Sequence, residues 1–305
     1  MPLRLSRPVP MTTTADSKAR LLRWVTTASV ATAVLLILSK LVATLMTNSV
    51  SVMASLIDSL MDLFASLVTL FAVRWSLQPP DADHRFGHGK AEPLAALAQA
   101  TFVAGSGAFL ILQGVQRLLR PQPVEDIGLG IGVMLFSILA TLALLLFQRH
   151  VIRRTGSTAI RADALHYATD LLSNLAIIAA LLLTAWGLGA IDAVFGMAIG
   201  GYVLYNAWGI VREALDQLMD RELPASVREQ VRQLALSHPA VRRIHGLRTR
   251  QAGQTLIIQF YADMAPELSL SEAHRIGDEV NALLKKNFPG ADIFIHEEPA
   301  STGPV

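Results

Sequence analysis

The sequence contains no cysteine and few charged residues. Only 16% of its 305 residues are Asp, Glu, Lys or Arg, against about 25% in a typical soluble domain. The absence of cysteine excludes disulfides and thiolate metal sites, so His and carboxylate groups would have to hold any metal. The shortage of charge, with 52% hydrophobic residues and a mean hydropathy of +0.44, predicts a multi-pass protein of the lipid bilayer.

Six apolar stretches are each long enough to cross a membrane, which takes about 20 residues. They cover residues 24–46, 50–76, 92–119, 127–149, 159–187 and 190–215. Residues 1–20 are polar, and we expect a disordered tail there and no signal peptide. Small residues favour close helix packing within two spans: Gly105 and Gly107 in the third, Gly196 and Gly200 in the sixth.

Basic residues indicate how the spans are oriented. The sequence pI of about 9.1 would also suit a nucleic-acid-binding protein, but here the basic residues lie between apolar spans. They recur in the N-terminal tail and in loops 2–3 and 4–5, whereas loops 1–2 and 5–6 are uncharged. The positive-inside rule therefore predicts cytoplasmic termini, and we expect no nucleic-acid partner.

The composition changes after residue 220 and predicts a small α+β domain. We expect a helix over 224–237, strands over 241–250 and 254–263 joined at Gly253, a helix over 270–288 capped by Ser269 or Ser271, and a strand over 291–296. This αββαβ order places both helices on one face of a three-stranded sheet. The predicted organisation is a disordered tail (1–20), an all-α six-helix membrane domain (21–219), a cytoplasmic α+β domain (220–298) and a disordered end (299–305).

Two pairs of polar residues lie within the second and fifth spans. Asp58 and Asp62 are four residues apart, as are His166 and Asp170, so each pair shares one helix face. Counted from opposite membrane faces, both pairs reach about 10–18 Å into a core about 30 Å thick. We therefore expect the two pairs to meet near mid-membrane.

A divalent cation would stabilise this arrangement. One charged carboxylate at the centre of a membrane costs at least about 2.5 kcal/mol, and neighbouring carboxylates repel. Three carboxylates and one imidazole suit tetrahedral Zn²⁺, and the same groups exchange protons when a metal binds or leaves. The alternatives are a polar helix interface in which these groups only pair with one another, and a proton pathway without metal.

A second candidate site lies in loop 2–3, which reads QPPDADHRFGHGKAE. Asp81, His84 and His88 have side chains that bind metals, and Gly87 and Gly89 allow a tight turn. The alternative is a solvated basic loop.

Four motifs together resemble the cation diffusion facilitator family, and within it the bacterial zinc and ferrous-iron efflux subgroup. They are the DxxxD of span 2, the FGHGK loop followed by Glu92, the HxxxD of span 5 and the segment LRTRQAG. The resemblance covers residues 20–298. It implies a non-enzymatic homodimer in the bacterial inner membrane that exports Zn²⁺ in exchange for protons by alternating access, with Fe²⁺, Cd²⁺ or Co²⁺ as other candidate substrates.

The resemblance also implies roles for individual residues. The transport site would consist of the two intramembrane pairs, Asp58, Asp62, His166 and Asp170. The loop site would consist of Asp81, His84 and His88. Lys90 would pair with Asp220 where the membrane and cytoplasmic parts of the dimer meet.

The C-terminal part is similar to the family's metallochaperone-like cytoplasmic domain. That similarity implies a structural zinc pair bound between the two subunits, with His245, His274, His296 and Glu298 at the ligand positions. Tyr261 stands where the subgroup has a strand histidine, and tyrosine is a poor zinc ligand at neutral pH because its ordinary pKa is about 10. We therefore expect the cluster to hold fewer ions, or to hold them weakly.

Two other classes of function are open at this point. A membrane metal sensor or scaffold would bind metal without transporting it. An intramembrane metallo-hydrolase would need a general base beside an open metal position, and the sequence has no HExxH motif.

Overall fold

The structure, a computed structural model, describes residues 15–47, 50–119, 130–184 and 191–300. The chain divides into two compact units, of which the first is Ala19–Leu215 and the second includes the described residues from Asp216 onward. Of the predicted disordered ends (1–20 and 299–305), residues 1–14 and 301–305 lie outside the described residues, as do the loop segments 48–49, 120–129 and 185–190.

Six long helices overlap the six predicted spans. They are α1 (Ala15–Thr47), α2 (Val50–Ser76), α3 (Ala91–Leu119), α4 (Gly130–Thr155), α5 (Thr158–Thr184) and α6 (Ile191–Leu218). Five of them, all except α5, are long and apolar enough within the described residues to cross a membrane. The helix α5 has 27 residues and carries polar side chains that include Asp163, His166 and Asp170.

Two predicted boundaries are wrong. The last strand runs to Pro299, so the predicted disordered end does not begin at that residue. The helix α1 begins at Ala15, so residues 15–20 are helical and do not belong to a disordered tail. Asp16 lies in the first turn, where a carboxylate favours the helix dipole. Ala, Lys and Arg, which follow, are strong helix formers. A helix therefore continues beyond the apolar stretch that marks its span.

The backbones of α3 and α6 touch at one pair of glycines. A Cβ atom added to Gly200 would lie 2.6 Å from the carbonyl oxygen of Gly107, and one added to Gly107 would lie 3.2 Å from the carbonyl oxygen of Gly200. Gly105 and Gly196 have nothing within 4 Å of such an atom. Of the four glycines predicted to allow close packing, this contact uses Gly107 and Gly200.

The start of α5 is attached to α3 and α6 by polar contacts. The backbone N–H of Thr158 donates to the carboxylate of Glu92, which is 1% exposed, over 3.1 Å. One turn later Arg161 donates from both terminal nitrogens to Glu213 of α6, over 2.5 and 2.6 Å. These contacts fix the end of the helix that carries His166 and Asp170.

The second unit has the predicted αββαβ order. Its elements are α7 (Ala225–Leu236), β1 (Arg243–Ala252), β2 (Thr255–Met264), α8 (Leu270–Asn287) and β3 (Asp292–Pro299). The strand order is β1-β2-β3, with β2 antiparallel to β1 and parallel to β3. Gly253 makes the predicted turn with φ +58°. Ser269, one of the two predicted caps, forms a capping box with Glu272 at the start of α8.

Both helices of the second unit pack on one face of its sheet, as predicted. The side chains of Ile258, Phe260 and Ala262 alternate along β2 and join Val231 of α7 and Val280 of α8 in one buried core. The period of two means that the residues between them point to the opposite face. That opposite face carries Tyr261 and its neighbours from β1 and β3.

Candidate metal sites

His166 of α5 lies between two carboxylates inside the helical unit. Its Nε2 is 2.9 Å from Oδ1 of Asp62 and 3.8 Å from Oδ2 of Asp170. One ligand atom from each of the three residues lies within 4.8 Å of the other two. The imidazole is nearly buried, with His166 4% exposed. The structure thus brings together three of the four predicted transport ligands.

Asp58, the fourth predicted ligand, is exposed and lies outside this group. It precedes Asp62 by one turn on the same face of α2. Its part in metal binding stays a prediction.

Lys40 of α1 contacts the same region and was missed by the sequence reasoning. Its Nζ donates to Oγ of Ser59 over 2.7 Å and to the carbonyl oxygen of Ser55 over 3.1 Å. Ser59 is the neighbour of Asp58 and is fully buried. The signal that could have found Lys40 is its position as a charged residue within an apolar span, which is rare without a functional reason.

A second polar network links α5 to α1 and α4. Asp163 is 0% exposed, and its Oδ2 accepts from Oγ of Ser29 over 2.7 Å and from Nε2 of Gln148 over 2.8 Å. The hydroxyl of Tyr167 donates to the carbonyl oxygen of Ser29 over 3.1 Å and is 2.8 Å from Oγ of Ser66 in α2. Because Asp163 and Tyr167 flank His166 along α5, these contacts restrict how its imidazole is presented.

The three predicted loop ligands converge. Asp81 has one carboxylate oxygen 3.2 Å from Nε2 of His88 and the other 3.5 Å from Nδ1 of His84. The two imidazole rings lie 4.5 Å apart between centroids. Nδ1 of His88 is buried and has no hydrogen-bond partner among the residues that the structure describes. A backbone N–H bond from His84 lowers the pKa of the Asp81 carboxyl from its ordinary value. The carboxylate is therefore ionised and available for a cation at neutral pH.

The cluster on the open face of the second unit differs from the predicted one. Nε2 of His245 lies 3.1 Å from Glu298 and 3.2 Å from Asp263, a residue that the sequence reasoning missed. These three residues form a group with metal-binding spacing. The signal for Asp263 is its strand position, two residues after Tyr261 and directly opposite Glu298 in the sheet.

Two predicted ligands, His274 and His296, are not members of that group of three within this single chain. His274, on α8, has a side chain that is 73% exposed and lies 3.7 Å from Asp278. His296, on β3, is 67% exposed and lies 3.8 Å from Glu298. Because the predicted site lies between two subunits, the roles of His274 and His296 as ligands stay predictions. The ring of Tyr261 lies between the two strand histidines, stacked on His245 at 5.0 Å and edge-on to His296 at 5.1 Å.

Asp220 lies at the start of the second unit in a left-handed backbone conformation, with φ +55°. Its Oδ2 accepts from Nη1 of Arg250 over 3.0 Å. The pairing of Lys90 with Asp220 in a dimer stays a prediction.

Known families match both parts of the chain. Residues 26–219 match the model of the cation efflux transmembrane domain, and residues 223–300 match that of the cation efflux protein cytoplasmic domain. The fold and the intramembrane cluster therefore define a multi-pass membrane transporter for metal cations. The chain belongs to the cation efflux family, also called the cation diffusion facilitators, as the sequence motifs predicted.

Relatives in enteric bacteria are similar over nearly the whole length. The cation-efflux pump FieF of Yersinia enterocolitica is 48% identical over 286 residues, which cover 94% of this chain and 95% of that one. FieF of Klebsiella pneumoniae is 46% identical over 290 residues, covering 95% and 97%. Among solved structures, the zinc form of CzrB aligns with 28% of this chain and 99% of its own, at 30% identity and a TM-score of 0.27.

Proposed function

We propose that this transporter exports Zn²⁺ from the cytoplasm in exchange for protons. The observation that carries the proposal is the convergence of Asp62, His166 and Asp170 from two helices of the membrane domain. Imidazole together with carboxylates suits Zn²⁺, whereas sites made only of oxygen ligands favour harder ions such as Mn²⁺. Fe²⁺, Cd²⁺ and Co²⁺ accept the same ligands and are the other candidate substrates.

Protons and metal compete for the same atoms at this site. Nε2 of His166 is hydrogen-bonded to Oδ1 of Asp62, and Zn²⁺ would displace the proton that lies between these two atoms. Metal binding therefore requires deprotonated ligands and releases protons. Binding in an inward-facing state and release in an outward-facing state at lower pH would couple the two fluxes.

The proposed setting is the bacterial inner membrane, with both termini in the cytoplasm and two copies of the chain forming a homodimer. The basic residues support this orientation. Arg74 lies in the last turn of α2, and Arg153 and Arg154 lie in the last turn of α4, at the ends that the positive-inside rule places in the cytoplasm. In the homodimer, Lys90 and Asp220 would form the interface pair that the sequence implies.

A flux measurement tests the proposal. The purified protein is reconstituted into liposomes that contain a zinc-sensitive dye, and Zn²⁺ uptake is followed with and without an imposed pH gradient. We expect protein-dependent uptake that rises when the gradient drives protons the opposite way. Parallel runs with Fe²⁺, Cd²⁺, Co²⁺ and Mn²⁺ rank the substrates. Zinc binding without protein-dependent flux would contradict export and would favour the sensor or scaffold.

We propose that the two accessible clusters also bind zinc, as sites that are not transported. The loop cluster offers two imidazoles and one ionised carboxylate. The cluster of the second unit offers one imidazole and two carboxylates, and Arg243 donates to Asp263 over 2.7 Å. Because the guanidinium group of Arg243 competes with zinc for the Asp263 carboxylate, we expect weaker zinc binding in the cluster of the second unit than in the loop cluster.

Removing Asp263 tests the composition of the second cluster. We expect Asp263→Asn to weaken its zinc binding at least about tenfold, because a charged ligand is lost, whereas His274→Ala leaves binding within a factor of two. The measurement is equilibrium dialysis of zinc against the detergent-purified protein with its loop site removed by His84→Ala and His88→Ala. An equal loss of zinc binding in both variants would show that His274 is also a ligand.

A further inference from the structure

Lys40 has no part in the function proposed above, although it ends beside the transport ligands. It lies inside the apolar span of α1 and is half-buried. A cation within a membrane span is costly and almost always faces the bundle or another charge. Its position therefore calls for a partner of opposite charge.

The ammonium group is held deep in the span. At a rise of about 1.5 Å per residue, Lys40 lies about 10 Å before the end of α1. Its partners Ser55 and Ser59 lie about 8 and 14 Å after the start of α2, which begins at the same end. Lysines near span ends usually extend toward the membrane surface. Lys40 instead reaches sideways to the neighbouring helix.

The partners of Lys40 lie on the ligand-bearing face of α2. Ser55, Asp58, Ser59 and Asp62 follow one another at intervals of three, one and three residues, which keeps all four on one side of a helix. The hydrogen bonds to Ser55 and Ser59 thus hold the cation against the stretch that carries both aspartates. Its charge interacts with those of Asp62, Asp170 and Asp58.

We propose that Lys40 is an internal counter-cation of the transport site. Without metal, its ammonium balances part of the negative charge of Asp58, Asp62 and Asp170. When a divalent cation enters, the ammonium repels it and weakens its binding. A site of three carboxylates and one imidazole without this charge would hold Zn²⁺ too tightly to release it quickly. Lys40 is therefore a positioning residue that lowers the affinity for Zn²⁺ and so speeds its release. This role rests on the proposed zinc transport.

Charge removal at Lys40 separates affinity from turnover. In the liposome flux assay we expect Lys40→Met to lower the KM for Zn²⁺ about tenfold, the size of effect that one charge at this range produces, and to lower kcat severalfold. Lys40→Arg keeps the charge and the donors and should leave both within a factor of two. Thr44→Val is the matched control on the same helix, because the Thr44 hydroxyl donates to the backbone carbonyl oxygen of Lys40 over 2.8 Å and carries no charge.

A second variant covers the case in which Lys40→Met does not yield folded protein. Ser59→Ala keeps the cation but removes its 2.7 Å anchor, and we expect KM to change in the same direction as in Lys40→Met. If KM is unchanged or raised in Lys40→Met, the proposed role of Lys40 is wrong. If only Ser59→Ala folds, the same result in that variant overturns it. Flux that survives Asp62→Ala instead overturns the transport site itself, so the two failures are distinguishable.

Discussion

Replacing Asp170 with asparagine is expected to reduce Zn²⁺ flux at least about 100-fold. The substitution keeps the shape of the side chain and removes the charge of one carboxylate beside Nε2 of His166. Losing even an outer-shell partner of a metal typically costs 10- to 100-fold, and Asp170 is proposed as a direct ligand. Asp62→Asn, which alters the 2.9 Å contact, is expected to have an effect of the same size.

The matched control is Asn174→Ala. Asn174 lies one turn beyond Asp170 on α5 and offers a neutral amide in place of a charge, so its removal tests whether any polar loss on that face impairs transport. We expect flux within a factor of two of the parent. If flux in both Asp170→Asn and Asp62→Asn stays within a factor of five of the parent, the assignment of the transport site is wrong.

Leu284→Ala is expected to destabilise the second unit by about 2–5 kcal/mol, the usual cost of a large-to-small change in a packed core. Leu284 is 0% exposed on α8 and lies in the core beneath the sheet. The measurement is amide hydrogen exchange in the full-length protein. Protection of the β2 amides should fall at least about 30-fold, which corresponds to the lower limit of that cost.

The same helix offers a matched control. Leu270 is 86% exposed, so Leu270→Ala makes the same chemical change without leaving a cavity, and we expect a change within about 0.5 kcal/mol. Similar protection in both variants would mean that the core of the second unit does not depend on Leu284.

Hydrophobic patterning was sufficient to predict most of the fold. Spans could be located because apolar runs of the required length are rare by chance, and the strands of the second unit because their apolar residues alternate. The start of α1 at Ala15 was not predicted, because polar helix formers carry no apolar signal. The local sequence also does not show which spans pack against each other. Four glycines were candidates for close packing, and the structure shows that Gly107 and Gly200 are the two that meet.

The candidate sites were predictable where spacing along one element fixes the geometry. His166 and Asp170 share a helix face, and Asp81, His84 and His88 lie within one turn-rich loop, so both sets could be found from the sequence. Matched depth in the membrane also indicated that span 2 meets span 5, as Asp62 meets His166. Other contacts between distant elements could not be predicted. Asp263 meets His245 through strand register, and Lys40 meets Ser59 through the packing of two helices. His274 was expected in the second cluster by analogy with the family, and analogy gives no position within a single chain.

The glycine contact between α3 and α6 limits how the transporter can change shape. With the backbones this close, sliding of one helix along the other would drive the carbonyl oxygen of Gly107 into Gly200. We expect these two helices to travel as one rigid body through the cycle. Since Thr158 is bonded to Glu92 of α3 and Arg161 to Glu213 of α6, any movement of α5 relative to these two helices begins beyond Arg161. His166 and Asp170 lie beyond that residue.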